Sequence, residues 1–463
     1  MAMAIRLLLP ISGRAVSRAT RAPPSRYQLR HSSISQRPNS THLHFPGAVN
    51  SAFTPTLSFT HPSTLPSIPT FRILNQEGTP ISPVPTLPTP ELHSLYTSMV
   101  SVSILDSIMF DAQRQGKISF YMVSAGEEGI AVGSCSALSP RDPIFAQYRE
   151  AGIFAHRGWK PKDFLAQLFA TSSDTGKGRN MPVHYGDKAL HIHTISSPLA
   201  TQIPQASGAA YAVKLQNQAN PTSEQRVVAC YFGEGAASEG DFHAALNIAA
   251  TRSCPVIFIC RNNGYAISTP TLEQYRGDGI ASRGVGYGID TIRVDGNDIL
   301  AVREATAAAR KLALEDGGKP VLVEAMSYRV SHHSTSDDSF AYRAKVDVEE
   351  WRRRDNPITR LRKYMEARGV WDEDREKELR AMTRKEVLEA YREAEKAKHP
   401  ALKHMMTDVY STMTEEQIEQ VAKMRGMLER YPDEYDVSSY ERGAESLNDS
   451  DVVSPPSSSS SSS

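Results

Sequence analysis

Residues 226–265 read RVVACYFGEGAASEGDFHAALNIAATRSCPVIFICRNNGY. Two short apolar runs, 226–232 and 255–260, are rich in Val, Ile, Phe and Cys and read as buried strands. Between them Ser238 and Asp241 form an S-x-x-D start signal. Phe242, Ala245, Leu246 and Ala249 then follow at i, i+3, i+4 and i+7, the spacing of an amphipathic helix. Strand, helix and strand in this order make one βαβ unit, and a parallel sheet follows from it.

Working outward, short apolar runs alternate with helical patterns across 91–345, with a third clear strand at 321–330. The expected fold is therefore α/β, a mostly parallel sheet with helices on both faces. Before it, residues 1–43 carry Arg6, Arg14, Arg18, Arg21, Arg26, Arg30 and Arg37 and no acid, the composition of a mitochondrial transit peptide. Arg14, Arg18 and Arg21 would share one helical face. Residues 44–90 form an extended Pro-rich arm, since 14 of the chain's 29 prolines precede residue 91. Residues 346–436 are charged and helical, expected to pack on the domain and on partner subunits, and 437–463 read as a disordered Ser-rich tail.

The chain has 463 residues, with 52 Lys+Arg and 52 Asp+Glu. Eight of the Arg lie in residues 1–76, which leaves 44 basic against 52 acidic residues beyond them. A mildly acidic body argues against nucleic acid or an anionic membrane surface as the main partner. No apolar run approaches the roughly 20 residues of a membrane span. Cys135, Cys230, Cys254 and Cys260 lack zinc-ligand spacing, and Cys230 and Cys260, inside apolar strand-like runs, read as buried reduced thiols of a reducing interior compartment.

Three polar clusters follow the three strands: 233–240 (GEGAASEG), 261–265 (RNNGY) and 331–338 (SHHSTSDD). Ligands of open parallel sheets bind beyond the carboxyl ends of the strands, so the clusters should line one crevice. Gly233 and Gly235 let backbone N–H groups approach an anion, yet Glu234 between them would repel a bare phosphate. A Mg²⁺ held by Glu234, an Asn amide and phosphate oxygens removes that conflict, and Arg261 adds positive charge. GEG alone also fits an ordinary Gly-rich turn. Its pairing with Asn262-Asn263 after 26 intervening residues, one βαβ step, is far more specific. The GxGxxG dinucleotide pattern is absent here. His191 and His193 could suggest a metal pair, but no third ligand is evident.

The G-E-G…N-N pattern is similar to the thiamine diphosphate signature. RQGKISFYM (114–122), QYREAG (147–152), GKGRNMPVHYG (176–186), TISSPLATQIPQA (194–206), YFGEGAASEGD (231–241), RNNGYAISTPTLEQYRGDGI (261–280) and HHSTSDD (332–338) resemble the α-subunit family of the branched-chain 2-oxo acid dehydrogenases. The resemblance implies thiamine diphosphate-dependent oxidative decarboxylation of branched-chain 2-oxo acids. The acyl group then passes to the lipoyl group of a core acyltransferase in the mitochondrial matrix.

The same resemblance implies Mg²⁺ on Glu234, Asn263 and the Tyr265 carbonyl, and thiamine diphosphate on Tyr148, Arg149, Ser197, Gly235, Ala236, Arg261 and His333. Ser196, Pro198, Thr201 and Gln202 correspond to a K⁺ site. His333 is the expected catalytic residue, an imidazole able to hold or release a proton near neutral pH, and His332 supports its loop. Ser334 corresponds to a phosphorylated regulatory serine, which brings in a kinase and a phosphatase. Where the family has a second such serine this chain has Ala344. The family's activating glutamate sits on a β subunit, so an α₂β₂ heterotetramer is expected. Competing readings are an α subunit acting on pyruvate or acetoin, a dinucleotide-dependent oxidoreductase, and a non-catalytic structural subunit.

Overall fold

Seven strands form the main sheet: β1 (Thr70–Phe71), β2 (Ile144–Phe145), β3 (Ile192–His193), β4 (Val228–Gly233), β5 (Val256–Asn262), β6 (Asp290–Asp295) and β7 (Val321–Met326). Their spatial order is β1-β6-β7-β5-β4-β2-β3, and every neighbouring pair is parallel. This computed structural model describes residues 42–45, 48–52 and 54–453, in two units, Met1–Leu65 and Pro66–Ser463. In the first, the described residues form an antiparallel hairpin, His42–Phe45 with Ala48–Ala52, and a 3₁₀ turn, Pro62–Thr64. The second holds the sheet and all of the site. The expected transit segment, apart from His42 and Leu43, and residues 454–463 lie outside the described residues.

Apolar side chains on both sides of each central strand explain why the sheet is buried on both faces. Ala229 and Tyr231 of β4 pack with Ile257 and Ile259 of β5 into one core. That core is closed by α1 (Thr89–Arg114), α2 (Glu128–Ser136) and α5 (Ile299–Ala313). Val228, Cys230 and Phe232, one residue out of phase, enter the second core with Val256, Phe258 and Cys260. It is covered by α3 (Gln202–Ala219) and α4 (Gly240–Arg252). All four cysteines are buried free thiols.

Two expectations about these elements are corrected. The third strand stops at Met326, four residues earlier than its apolar run suggested, because the ladder loses register there: Ser327 still donates to the Asn262 carbonyl, but the Arg329 N–H goes to Asn263 instead of Gly264. Helix α4 starts at Gly240 with Glu239 as its cap residue, while Ser238 closes a 3₁₀ turn, Ala236–Ser238. The S-x-x-D pair therefore caps nothing. Its apolar face is as expected, with Phe242, Ala245, Leu246 and Ala249 all buried.

The C-terminal region is helical, with α6 (Lys345–Arg354), α7 (Pro357–Ala367), α8 (Glu373–Lys396) and α9 (Glu415–Arg430) as its main elements. The segment expected to be a disordered tail from 437 is ordered through its first part. Leu447 and Val452 are fully buried with Leu402 and Val421 in a small apolar cluster, which the low-complexity serines that follow obscured.

A buried carboxyl beside the site yields a pH prediction. Burial, reinforced by Asp106 and Glu127, lifts Glu128 to about 8. Its folded pKa thus exceeds the unfolded value, so its contribution to stability is complete in acid and is lost as pH rises toward 8. Glu128→Gln keeps the acceptor for the Gly126 N–H (2.9 Å) and removes the titration. Urea unfolding at pH 6 and pH 8 should show a wild-type loss of roughly 1 kcal/mol per pH unit that the variant lacks.

Candidate active site

Register, rather than sequence distance, assembles the site. Gly233 at the tip of β4 pairs with Arg261 of β5, and the Glu234 N–H donates to the Arg261 carbonyl at 3.2 Å. That lays the GEG turn beside Arg261–Asn263. Gly264, at φ +89°, then reverses the chain so that Tyr265–Ala266 folds back against Thr269–Pro270. A Cβ added to Gly235 would meet the Ala266 Cβ at 2.7 Å, so this glycine is required by close approach. By contrast, a Cβ on Gly233 would find only the Arg261 carbonyl at 3.9 Å. Gly235→Ala should therefore force the two turns apart and weaken diphosphate binding by at least about tenfold, whereas Gly233→Ala should not; titration calorimetry of the assembled enzyme compares them.

A cavity of about 390 Å³ opens at these strand tips. Tyr148, Arg149, Ser197, Glu234 and Gly235 line it, as do Ala236, Arg261, Asn263, Tyr265 and His333. These residues come from five separate stretches of the chain. Phe120, Met122, Met181, Leu199 and Ile267 add an apolar wall. The three polar clusters do converge on one crevice.

Charge is concentrated and mostly paired. Arg261 is bound by Glu150 through Nε and by Glu127 through Nη1 (2.5 Å), all three residues being at most 2% exposed. Arg149 donates to the carbonyls of Val123 (2.6 Å) and His333 (2.7 Å). Burial would raise the Glu127 carboxyl, but Arg261 and Arg149 outweigh it and hold it below the usual range. Burial pushes Glu234 up, with Glu127 adding to the effect.

Among the described residues, two buried atoms of this cavity's lining have no partner: Glu234 Oε1 and Arg261 Nη2. An unsatisfied carboxylate oxygen calls for a cation and an unsatisfied guanidinium N–H for an anion. The described residues contain no group of three or more His, Cys, Asp or Glu placed to hold a metal. One carboxylate with neutral amide and carbonyl oxygens suits Mg²⁺, which retains water and phosphate ligands, better than zinc. The donor set thus fits a Mg²⁺-diphosphate.

The surroundings of His333 govern its proton. Burial and then the cations of Arg149 and Arg329 push its imidazole down to about 3. Nδ1 lies 3.3 Å from Arg149 Nη2 and 3.4 Å from Arg329 Nη1. Guanidinium nitrogens only donate, so Nδ1 accepts and the single ring proton sits on Nε2. His333 is a fixed neutral donor at neutral pH. Its backbone N–H donates to Asp337 (2.7 Å), whose carboxylate also accepts from Tyr342 (2.7 Å). His332 Nδ1 accepts from the Ser339 N–H at 2.9 Å, the loop-supporting role expected of it.

The four residues expected at a K⁺ site gather just outside the cavity lining. Thr201 Oγ1 lies 3.1 Å from the Pro198 carbonyl and 3.4 Å from Ser196 Oγ. The buried Gln202 side chain donates to the Tyr231 carbonyl at 3.0 Å. Ser197 Oγ is 2.8 Å from His184 Nε2. His191 and His193 stand apart from all this: His191 is exposed, and His193 stacks on Phe145 at 4.0 Å.

Sequence reasoning passed over Glu127, Glu150, Gln147 and His184. Gln147 Oε1 accepts the Gly233 N–H at 3.0 Å. A visible signal existed for Glu127, one of two consecutive acids inside the otherwise small and apolar run VSAGEEGIAVG (123–133).

Comparison with known proteins gives a family match to the Dehydrogenase E1 component over residues 96–403. The mitochondrial 2-oxoisovalerate dehydrogenase subunit alpha of Homo sapiens is 50% identical over 424 residues, 91% of this chain and 92% of the human one. Its Dictyostelium discoideum counterpart is 51% identical over 376 residues, covering 81% and 84%. An Arabidopsis thaliana protein, subunit alpha 2 of the same enzyme, is 45% identical over 395 residues, covering 85% and 82%.

Proposed function

The chain belongs to the Dehydrogenase E1 component family, and from that premise we propose that it acts as the α subunit of a branched-chain 2-oxo acid dehydrogenase. The family is thiamine diphosphate-dependent, and an α subunit of such a component works with a β subunit and further members of a complex. The reaction is oxidative decarboxylation of the 2-oxo acids derived from Leu, Ile and Val, with transfer of the acyl group to a lipoyl arm of the core acyltransferase. The observation carrying this reading is the convergence, around one cavity, of an unpartnered carboxylate oxygen and an unpartnered guanidinium nitrogen. It stands in a chain about half identical to relatives named for that substrate.

Bound there, thiamine diphosphate would supply the electron sink that decarboxylation of a 2-oxo acid requires. This chain's own residues divide the remaining work. Glu234, Asn263 and the Tyr265 carbonyl hold Mg²⁺, while Arg261 Nη2 and the turn at Gly235 and Ala236 receive the diphosphate. Tyr148, Arg149 and Ser197 line the wall, and His333 offers its Nε2 proton to the reacting groups. Ser196 Oγ and the Pro198 carbonyl, each within hydrogen-bond distance of Thr201 Oγ1, form a K⁺ site with it. The Gln202 amide oxygen joins them, since its nitrogen is engaged by Tyr231.

An α₂β₂ heterotetramer is the expected assembly. Met181, Leu199 and Ile267, each at least 40% exposed at the cavity, are apolar surface suited to a covering β subunit. Residues 1–43 direct the chain to the mitochondrial matrix, in keeping with the mitochondrial names of its relatives. Phosphorylation by a regulatory kinase, reversed by a phosphatase, falls on Ser334, half-buried beside His333, with its Oγ accepting from the Ser336 N–H at 3.2 Å. A phosphate there adds about −1.5 to −2 charge next to the cavity. Co-expression with a β subunit and assay with thiamine diphosphate and Mg²⁺ should show higher kcat/KM on 3-methyl-2-oxobutanoate than on pyruvate. Preference for pyruvate would overturn the substrate assignment.

A further inference from the structure

Glu127 caps α2 and is 1% exposed, outside every segment assigned a role above. Its carboxylate meets three of the site's groups, Arg261 and Asn263 at the tip of β5 and Arg149 in the loop after β2. Oε1 accepts from Asn263 Nδ2 at 2.8 Å and lies 3.9 Å from Arg149 Nε. Oε2 accepts from Arg261 Nη1 at 2.5 Å.

Resting on the Mg²⁺-thiamine diphosphate reading above, we propose that Glu127 is a positioning residue that sets which end of the Asn263 amide faces the metal. A carboxylate only accepts hydrogen bonds, so Asn263 must turn its NH₂ toward Glu127. Its Oδ1 is then directed away from Glu127 and accepts from the Tyr265 N–H at 3.2 Å, while the backbone N–H of Asn263 donates to Glu234 Oε2 at 3.3 Å. An amide oxygen is a ligand for a divalent cation and an amide NH₂ repels one, so this single choice decides whether Asn263 can coordinate. No other described side chain hydrogen-bonds to Asn263 Nδ2.

Charge gives the inference a distinguishing sign. Glu127, Glu150 and Glu234 face Arg149 and Arg261, leaving one net negative charge that a divalent ion would invert in favour of a diphosphate. Neutralising Glu127 makes the pocket more hospitable to a bare anion and less so to Mg²⁺. A residue that merely held the fold together would weaken both.

The test uses the assembled enzyme with its β subunit and reads thiamine diphosphate binding by quenching of intrinsic fluorescence while MgCl₂ is titrated. Glu127→Gln should raise the half-saturating Mg²⁺ concentration about ten- to hundredfold, the range seen when a group orienting a metal ligand is lost. Weak Mg²⁺-independent binding should be unchanged or tighter. Adding Asn263→Asp to that background should restore Mg²⁺ affinity, because a carboxylate at 263 accepts from the amide introduced at 127 and still ligates the ion. Unchanged Mg²⁺ dependence in Glu127→Gln, equal weakening with and without Mg²⁺, or no rescue by Asn263→Asp would each overturn the proposal. Should Glu127→Gln fail to assemble, Glu127→Asp, shorter by one methylene and still charged, must raise the Mg²⁺ requirement by a smaller factor or the proposal fails. A wild-type enzyme showing no Mg²⁺-dependent binding would instead sink the cofactor reading itself.

Discussion

Glu234→Gln is expected to abolish Mg²⁺-dependent cofactor binding while leaving the unliganded protein as stable as the wild type or more so. Glutamine preserves volume and the acceptor for the Asn263 N–H, so the fold loses nothing. What it removes is a carboxylate pushed up by burial, with one oxygen lacking any partner. Such a group costs the empty protein about 1–3 kcal/mol, and function is the reason to keep it. The affinity loss for the Mg²⁺-diphosphate should reach about a hundredfold or more, since the one charged side chain proposed to hold the ion disappears. Thermal unfolding checks both halves at once. In the wild type, thiamine diphosphate with Mg²⁺ at about 100 times Kd adds roughly 2.7 kcal/mol. In the variant that added stability vanishes, while the unliganded midpoint stays or rises. A variant that still gains stability from the pair would show that the metal is held elsewhere.

His333 carries the second large effect. Its ring proton is confined to Nε2 by the two guanidinium groups at Nδ1, so its contribution is a hydrogen bond or a transferred proton at that one atom. His333→Ala should lower kcat about 10²- to 10⁴-fold, the range for loss of a positioned acid or base, with cofactor affinity little changed. Loosening of the 331–343 loop could mimic that result. His333→Asn separates the two causes, because an amide oxygen can accept from Arg149 and Arg329 while nothing replaces the Nε2 proton. If Asn is as inactive as Ala, the chemistry resides in the ring; if Asn restores turnover, His333 serves only to order its loop. A further sign follows from the depressed imidazole pKa. Between pH 5 and 8 the free enzyme's pH–rate profile should contain no inflection from His333, against the near-neutral titration its residue type suggested.

The C-terminal region shows where one-dimensional reading fails. The run of serines from 454 drew attention to low complexity, and the buried Leu447 and Val452 just before it escaped notice. Those two residues have no periodic companions nearby. Their partners, Leu402 and Val421, are far away in sequence.

Much about this protein is legible in one dimension. The apolar strand runs, the helix at 242–249 and the three polar clusters that follow them determine a parallel sheet with a ligand crevice at its carboxyl edge, because hydrophobic periodicity and turn chemistry are local properties. The spacing of Glu234 from Asn263 already pointed to the donor set proposed for the metal, since one βαβ step returns the chain to an adjacent strand tip. The tertiary structure alone decided the electrostatics. Whether His333 titrates, which amide end Asn263 presents, and why Glu127 is buried among two arginines depend on groups far apart in sequence, up to 206 positions for Glu127 and His333, brought together in a medium of low dielectric constant. Coulomb energy and desolvation depend on distance through space and on burial, and neither is written in the order of the residues.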